Sequence, residues 1–282
     1  LPLRIERSAP DATREQFKIT LGKEARAVLV QRSDAKGSYW ERGVLALGEG
    51  DLHLPEKGLN VQVTLPRVDA DAWKAALVMP STAAAAAPSS NSSPGLTLGQ
   101  VMIKTPSLRM FGRDFNHVDA TLKPREGGWL IGLNMREATG ELTWRSAGDG
   151  LLEGRLKRLI LQPMAETSEA GVQAINSLPG MNFTVDDFYV GEKALGQLEV
   201  KARNEKGIWQ LENLGIKNPD GYLKGKGNWQ NLGKHLTHLE FELGANDIGK
   251  MLTRLGYVDA VRRGQAKMTG GLDWEGPLTT IH

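Results

Sequence analysis

The chain has 282 residues, 40% hydrophobic and 24% charged, enough apolar material for one large domain or two smaller ones and too much for wholesale disorder. Its 35 basic and 33 acidic residues leave a formal charge of +2, without the basic excess on which nucleic-acid binding draws. Cysteine is absent, which excludes disulfides, thiolate metal sites and cysteine nucleophiles.

Alternation with a period of two dominates the chain and predicts strands with one apolar face. Phe17, Ile19 and Leu21 alternate with Lys18 and Thr20, and Leu59, Val61, Val63 and Leu65 alternate with Asn60, Gln62 and Thr64. Asp69 to Met79 then reads as a short helix, with Asp69 as N-cap and Trp73 and Leu77 on one face. Pro80 to Pro94 is alanine-rich and then serine-rich, the composition of a flexible linker or surface loop. Strands resume with Val118, Ala120 and Leu122. Glu166 to Ile175 predicts a second helix, closed by Leu178-Pro179-Gly180.

Beyond it, Leu198, Val200 and Ala202 oppose Glu199, Lys201 and Arg203, and Leu239, Phe241 and Leu243 oppose Glu240 and Glu242. Asp247 to Leu255 carries Ile248, Met251, Leu252 and Leu255 at helical spacing. A last strand places Met268, Gly270, Leu272 and Trp274 on one side. Turn signals such as Lys36-Gly37, Glu126-Gly127-Gly128, Lys206-Gly207 and Asp220-Gly221 separate the strands, and such short connections predict an antiparallel meander.

The chain also echoes itself. Val63 to Trp73 resembles Phe241 to Met251, each an alternating strand running into an aspartate cap and an amphipathic helix. Trp129 and Trp144 recur as Trp209 and Trp229, with a third closing strand at Trp274, which suggests an array of similar sheet units. These tryptophans are expected to pack in the core or protect an edge; the competing role is contact with an apolar ligand.

Residues with chemical potential resolve into structural roles. His235 and His238 are spaced i, i+3 at a strand entry and do not converge on one face, and no acidic or histidine-rich motif accompanies them. Asp69 and Asp71 fit helix capping, while Asp186 and Asp187 point to opposite faces of a strand. Gly225-Lys226-Gly227 lacks the strand–loop–helix setting of a phosphate loop. No catalytic residue, metal ligand or cofactor site is therefore expected, and the protein is read as a non-enzyme. Sheet surface far exceeds what three short helices could cover. The sheet must close on itself or curl into a trough, and an open trough implies an apolar ligand.

The segment from Leu178-Pro179-Gly180-Met181 to Trp274-Glu275-Gly276-Pro277 resembles the C-terminal region of the YhdP family, within the AsmA-like superfamily that also includes TamB. The resemblance is carried, in order, by Leu195-Gly196-Gln197-Leu198, Gly207-Ile208-Trp209-Gln210-Leu211, Gly221 to Trp229, Asn246 to Tyr257, and Gly270-Gly271-Leu272-Asp273-Trp274. It implies a periplasmic protein of a Gram-negative bacterium, anchored in the inner membrane, whose long β-groove carries phospholipid between membranes and supports the outer-membrane permeability barrier. The chain opens on Leu1-Pro2-Leu3 and so reads as a segment of such a protein, continued by adjoining groove segments.

The expectation is thus a mainly β fold: an elongated, antiparallel, strongly twisted and curled sheet with about three short helices. Residues 1–79 form one groove segment, 80–95 a linker, and 96–282 a second segment with helices near 166–176 and 246–255. The expected partner is phospholipid or another acyl-chain lipid, with no nucleic acid. Candidate lining residues are Val61, Val63, Leu122, Ile131, Leu198, Val200, Trp209, Leu211, Phe241, Leu243, Met268 and Leu272. The alternative is a closed β-sandwich acting as a periplasmic scaffold or interaction module.

Overall fold

The computed structural model describes residues 1–35, 37–73, 96–110, 112–162, 178–205, 208–232 and 234–275. The fold is mainly β, and the chain divides into two compact units, Leu1–Arg125 and Glu126–His282.

The first unit contains β1 (Leu3–Asp11), β2 (Arg14–Leu21), β3 (Ala25–Asp34), β4 (Gly37–Gly48), β5 (Gly58–Thr64), β6 (Arg67–Asp69), β7 (Leu98–Met110) and β8 (Arg113–Arg125). Strands β1 to β4 pair antiparallel in sequence order, as do β7 and β8. Between them, β5 pairs parallel with both β4 and β7, and β6 continues the parallel pairing along β7.

The second unit contains β9 (Gly128–Asn134), β10 (Ala138–Arg145), β11 (Leu151–Leu161), β12 (Gly180–Val190), β13 (Lys193–Glu205), β14 (Ile208–Asn218), β15 (Gly221–Leu232), β16 (Lys234–Ala245), α1 (Ile248–Arg254) and β17 (Ala266–Glu275). Each strand pairs with the next in sequence, antiparallel except for β11 with β12.

The expected all-antiparallel sheet is therefore mixed. A parallel neighbour requires the chain to return the length of a strand before pairing, which a tight turn cannot do. Two of the three returns, 70–97 and 162–179, include segments where alternation lapses. The third, 49–57, is short and hides in the sequence as an ordinary loop. It lies over one face of the sheet: a Cβ on Gly50 would sit 3.4 Å from the Ala46 Cβ, and Asp51 N–H donates to Gln62 Oε1 at 3.1 Å. Val44 and Ala46 are fully buried on that face. This explains why Val28 and Val30 are apolar as well as Leu29 between them: the loop covers the face on which Val28 and Val30 lie.

Of the expected helices, α1 matches the third closely. Asp247 caps it, accepting from Lys250 N–H at 3.1 Å. The first begins with Ala70–Trp73, where Asp69 accepts from Ala72 N–H at 2.8 Å, so the two echoed aspartates cap alike. The second helix, the linker at 80–95 and the rest of the first helix lie outside the described residues.

In the second unit, Gly140 and Gly154 face each other's strands at a register shift between β10 and β11, with φ of 144° and 146°. A Cβ on Gly140 would lie 2.6 Å from the Arg155 carbonyl oxygen, so only glycine allows the strands this sharp local bend.

Candidate functional site

In a sheet, residues directly opposite one another project from the same face, so registers identify what shares a surface. Three cross-strand rows traverse all nine strands of the second unit. The first runs Leu133, Gly140, Leu156, Val185, Leu198, Ile216, Leu223, Leu243, Met268. The second runs Ile131, Leu142, Gly154, Phe183, Val200, Leu214, Gly225, Phe241, Gly270. The third runs Trp129, Trp144, Leu152, Met181, Ala202, Leu211, Gly227, Leu239, Leu272. None of the three rows contains a polar side chain. Two β-bulges, one on each side of β14, keep the face continuous by holding Leu211 and Leu214 on the same side.

Burial along this face is graded. Leu156, Val185, Leu198 and Leu211 are buried in a cluster with Phe188, Trp209 and Trp229. Toward β17 the face opens, and Met268 and Leu272 are 51% and 41% exposed. Strand packing follows the hydrogen-bonded neighbours, with α1 touching β13.

The tryptophans mark one end of the face. Trp129 pairs with Trp144, and Trp209 with Trp229, while Thr237 pairs with Trp274 in the row beyond Leu272. Trp209 Nε1 donates to the Pro179 carbonyl at 3.0 Å, so its polar atom is satisfied while its rings stay in the cluster.

All nine second-unit residues singled out from sequence lie on this face: Ile131, Leu198, Val200, Trp209, Leu211, Phe241, Leu243, Met268 and Leu272. The three in the first unit also share a face. Val61 and Leu122 stand in the row Ile5, Ile19, Ala27, Leu45, Val61, Val101, Leu122. Val63 stands in the adjacent row Leu3, Leu21, Ala25, Leu47, Val63, Ile103, Ala120. Sequence reasoning missed intervening members such as Leu214, Ile216, Leu223 and Gly225, because alternation in one strand does not reveal its neighbour's register.

The opposite face of the second unit is charged. Lys201 and Arg203 both reach Glu212, at 3.1 and 2.9 Å, and Lys226 meets Glu240 at 2.9 Å. Lys267 meets Glu242 at 3.1 Å, and the Tyr222 hydroxyl donates to the same carboxylate at 2.7 Å. These contacts hold Glu240 and Glu242 below the usual carboxylate pKa, chiefly through Lys226 and Tyr222 respectively. A concavity of about 670 Å³ on this side is lined by Arg155, Asp186, Glu199 and Lys224 around Gly215. Its charges are of mixed sign and solvated. The polar face keeps the sheet soluble on one side while the other stays greasy.

On the same face His238 ties the edge strand β17 to β16. Its Nδ1–H donates to Asp273 at 2.6 Å and Nε2 lies 3.5 Å from Glu240. The Asp273 bond, then the Glu240 contact, raises the imidazole above its ordinary value of 6.5. A group that holds its proton more tightly when folded contributes stability that is complete below the unfolded value and disappears as pH rises through the folded one. Amide exchange in β17, corrected for intrinsic chemistry, should therefore lose protection as pH rises above 6.5. His238→Gln should flatten that dependence.

A strand array with one face apolar across every strand and the other a lattice of ion pairs defines an open β-groove protein. The chain belongs to the YhdP family: the family described as YhdP protein matches residues 1–282. It is thus an AsmA-like protein, from a lipid-transport-related family of the Gram-negative envelope. No curated protein and no solved structure matches it. Among the described residues no helix is long and apolar enough to cross a membrane, and no group of three or more His, Asp or Glu side chains is placed to hold a metal ion.

Proposed function

We propose that the apolar face of each unit shields the acyl chains of phospholipid, with headgroups at the open edge, as lipid moves between inner and outer membranes. On this reading the parent protein is held at the inner membrane, adjoining segments of the chain prolong the groove through the periplasm, and lipid supply sustains the permeability barrier. The observation that carries it is the three rows of the second unit, apolar across nine strands and open at Met268 and Leu272. Many similar apolar contacts without a fixed polar anchor suit a cargo that must slide.

Mass spectrometry of lipid extracted from the purified chain should detect phospholipid. After delipidation, affinity for fluorescent fatty acids should rise with chain length. Each methylene fully removed from water contributes about 0.8 kcal/mol, or roughly fourfold in affinity. A monomeric, delipidated chain that takes up neither fatty acid nor phospholipid would sink this function.

A further inference from the structure

We propose that the loop carrying α1 is a membrane-docking element that seats the adjoining rim of the apolar face on an anionic bilayer; this rests on the groove reading above. The loop is closed and well fastened. Ile248 N–H donates to the Gly264 carbonyl at 2.9 Å, bringing its ends together. A Cβ on Gly249 would lie 2.5 Å from the Val261 carbonyl oxygen and 3.0 Å from the Arg263 nitrogen, so helix and returning backbone are in close contact. Arg254 anchors the helix to the sheet through Asp220, at 2.5 and 2.9 Å, and to the Ala194 carbonyl at 3.3 Å.

A loop so fastened has every opportunity to turn its apolar side chains inward. It does the reverse. Tyr257, Val258 and Val261 are 63%, 69% and 45% exposed. Asp259 and Arg263 flank the tip in the left-handed region, with φ of 57° and 61°, a conformation uncommon for arginine and held here by the closed loop. Arg262 and Arg263 are both exposed and have no carboxylate partner among the described residues. A tyrosine and two aliphatic side chains beside two guanidinium groups, which outnumber the single exposed carboxylate of Asp259, match the interface of a bilayer with anionic headgroups.

Position connects this tip to the groove. The loop leaves β16 after Ala245 and rejoins the sheet at Ala266, the rim where Leu243 and the half-exposed Met268 end the first apolar row.

The test is cosedimentation of the full 282-residue chain with vesicles of phosphatidylethanolamine and phosphatidylglycerol, and with phosphatidylcholine vesicles. The wild-type chain should sediment with the anionic vesicles, and added salt should weaken binding. Val258→Asp with Val261→Asp should weaken it about tenfold or more, and Arg262→Glu with Arg263→Glu should abolish the preference for phosphatidylglycerol. All four positions are exposed, so thermal unfolding should stay unchanged. Wild-type chain left in the supernatant, or a Val258→Asp/Val261→Asp chain sedimenting like wild type, overturns the docking proposal. Fatty-acid uptake on the same preparations separates the two readings. Uptake without vesicle binding defeats docking alone; vesicle binding without uptake defeats the groove alone.

Discussion

Val185→Asp is expected to unfold the second unit at room temperature. Val185 is 1% exposed, with Leu156 and Leu198 directly opposite it on the two neighbouring strands. Losing the burial of this valine costs about 1.5–3 kcal/mol. A carboxyl group in its place finds no side-chain donor, because the three rows around it are wholly apolar, and an unpartnered polar group adds a few kcal/mol more. The sum, about 5 kcal/mol, is comparable to the whole net stability of many domains. Asn182→Asp in the same strand is the control. Asn182 is exposed on the charged face opposite Lys201, and the change should stay within about 0.5 kcal/mol. Urea unfolding followed by tryptophan fluorescence reads both, since Trp209 and Trp229 belong to the same buried cluster. A Val185→Asp chain with a wild-type midpoint would mean that this face is hydrated rather than packed.

The sequence made one property of this face legible and concealed another. Alternation separates Leu198 and Val200 from Glu199 and Lys201 within one strand, because successive side chains point to opposite sides. It cannot align that strand with its neighbours, since a slip of one residue reverses every assignment. The alignment is imposed by turns and bulges, such as those that keep Leu211 and Leu214 on one side of β14. Glycines were opaque for a related reason. Gly225 reads as a break in an apolar pattern, yet with Gly270 it flanks Phe241, whose ring lies 3.0 Å from where a Gly270 Cβ would be. They are part of the face, as its shallow places.

The parallel pairings were hidden by economy of chain. The return at 49–57 is barely long enough to run back along β4, and it covers Val44 and Ala46 without any helical periodicity to announce it. By contrast, the capped start of α1 was readable because an aspartate before an apolar helical stripe has a local cause. The exposed tip after α1 had no such cue. Tyr257, Val258 and Val261 belong to neither the alternation nor the helical stripe, and only the closed loop shows them turned outward.

The shallow glycines permit a test that separates fold from cargo. Gly225 lies in the middle apolar row between Leu214 and Phe241, and a Cβ there would meet Leu214 carbons at 3.5 Å and the Glu240 carbonyl oxygen at 3.7 Å, ordinary contacts. Its φ is not in the left-handed region, so a side chain is tolerated by the backbone. By comparison, Gly227, one step along the strand on the same face, would place its Cβ against the His238 carbonyl oxygen and cannot be filled. Gly225→Leu and Gly225→Trp should therefore raise a ridge across the face at a typical overpacking cost of about 1–3 kcal/mol. If acyl chains lie along these rows, Gly225→Trp should cut fatty-acid uptake more than about tenfold, with Gly225→Leu intermediate, since the displaced contacts each involve about 0.8 kcal/mol per methylene. Gly271→Trp supplies the matched control. It sits on the charged face opposite Glu240, with nothing within 4 Å of its Cβ position, and should leave uptake unchanged. Equal uptake by Gly225→Trp and Gly271→Trp, with both chains folded, would remove the apolar face from the path of the lipid.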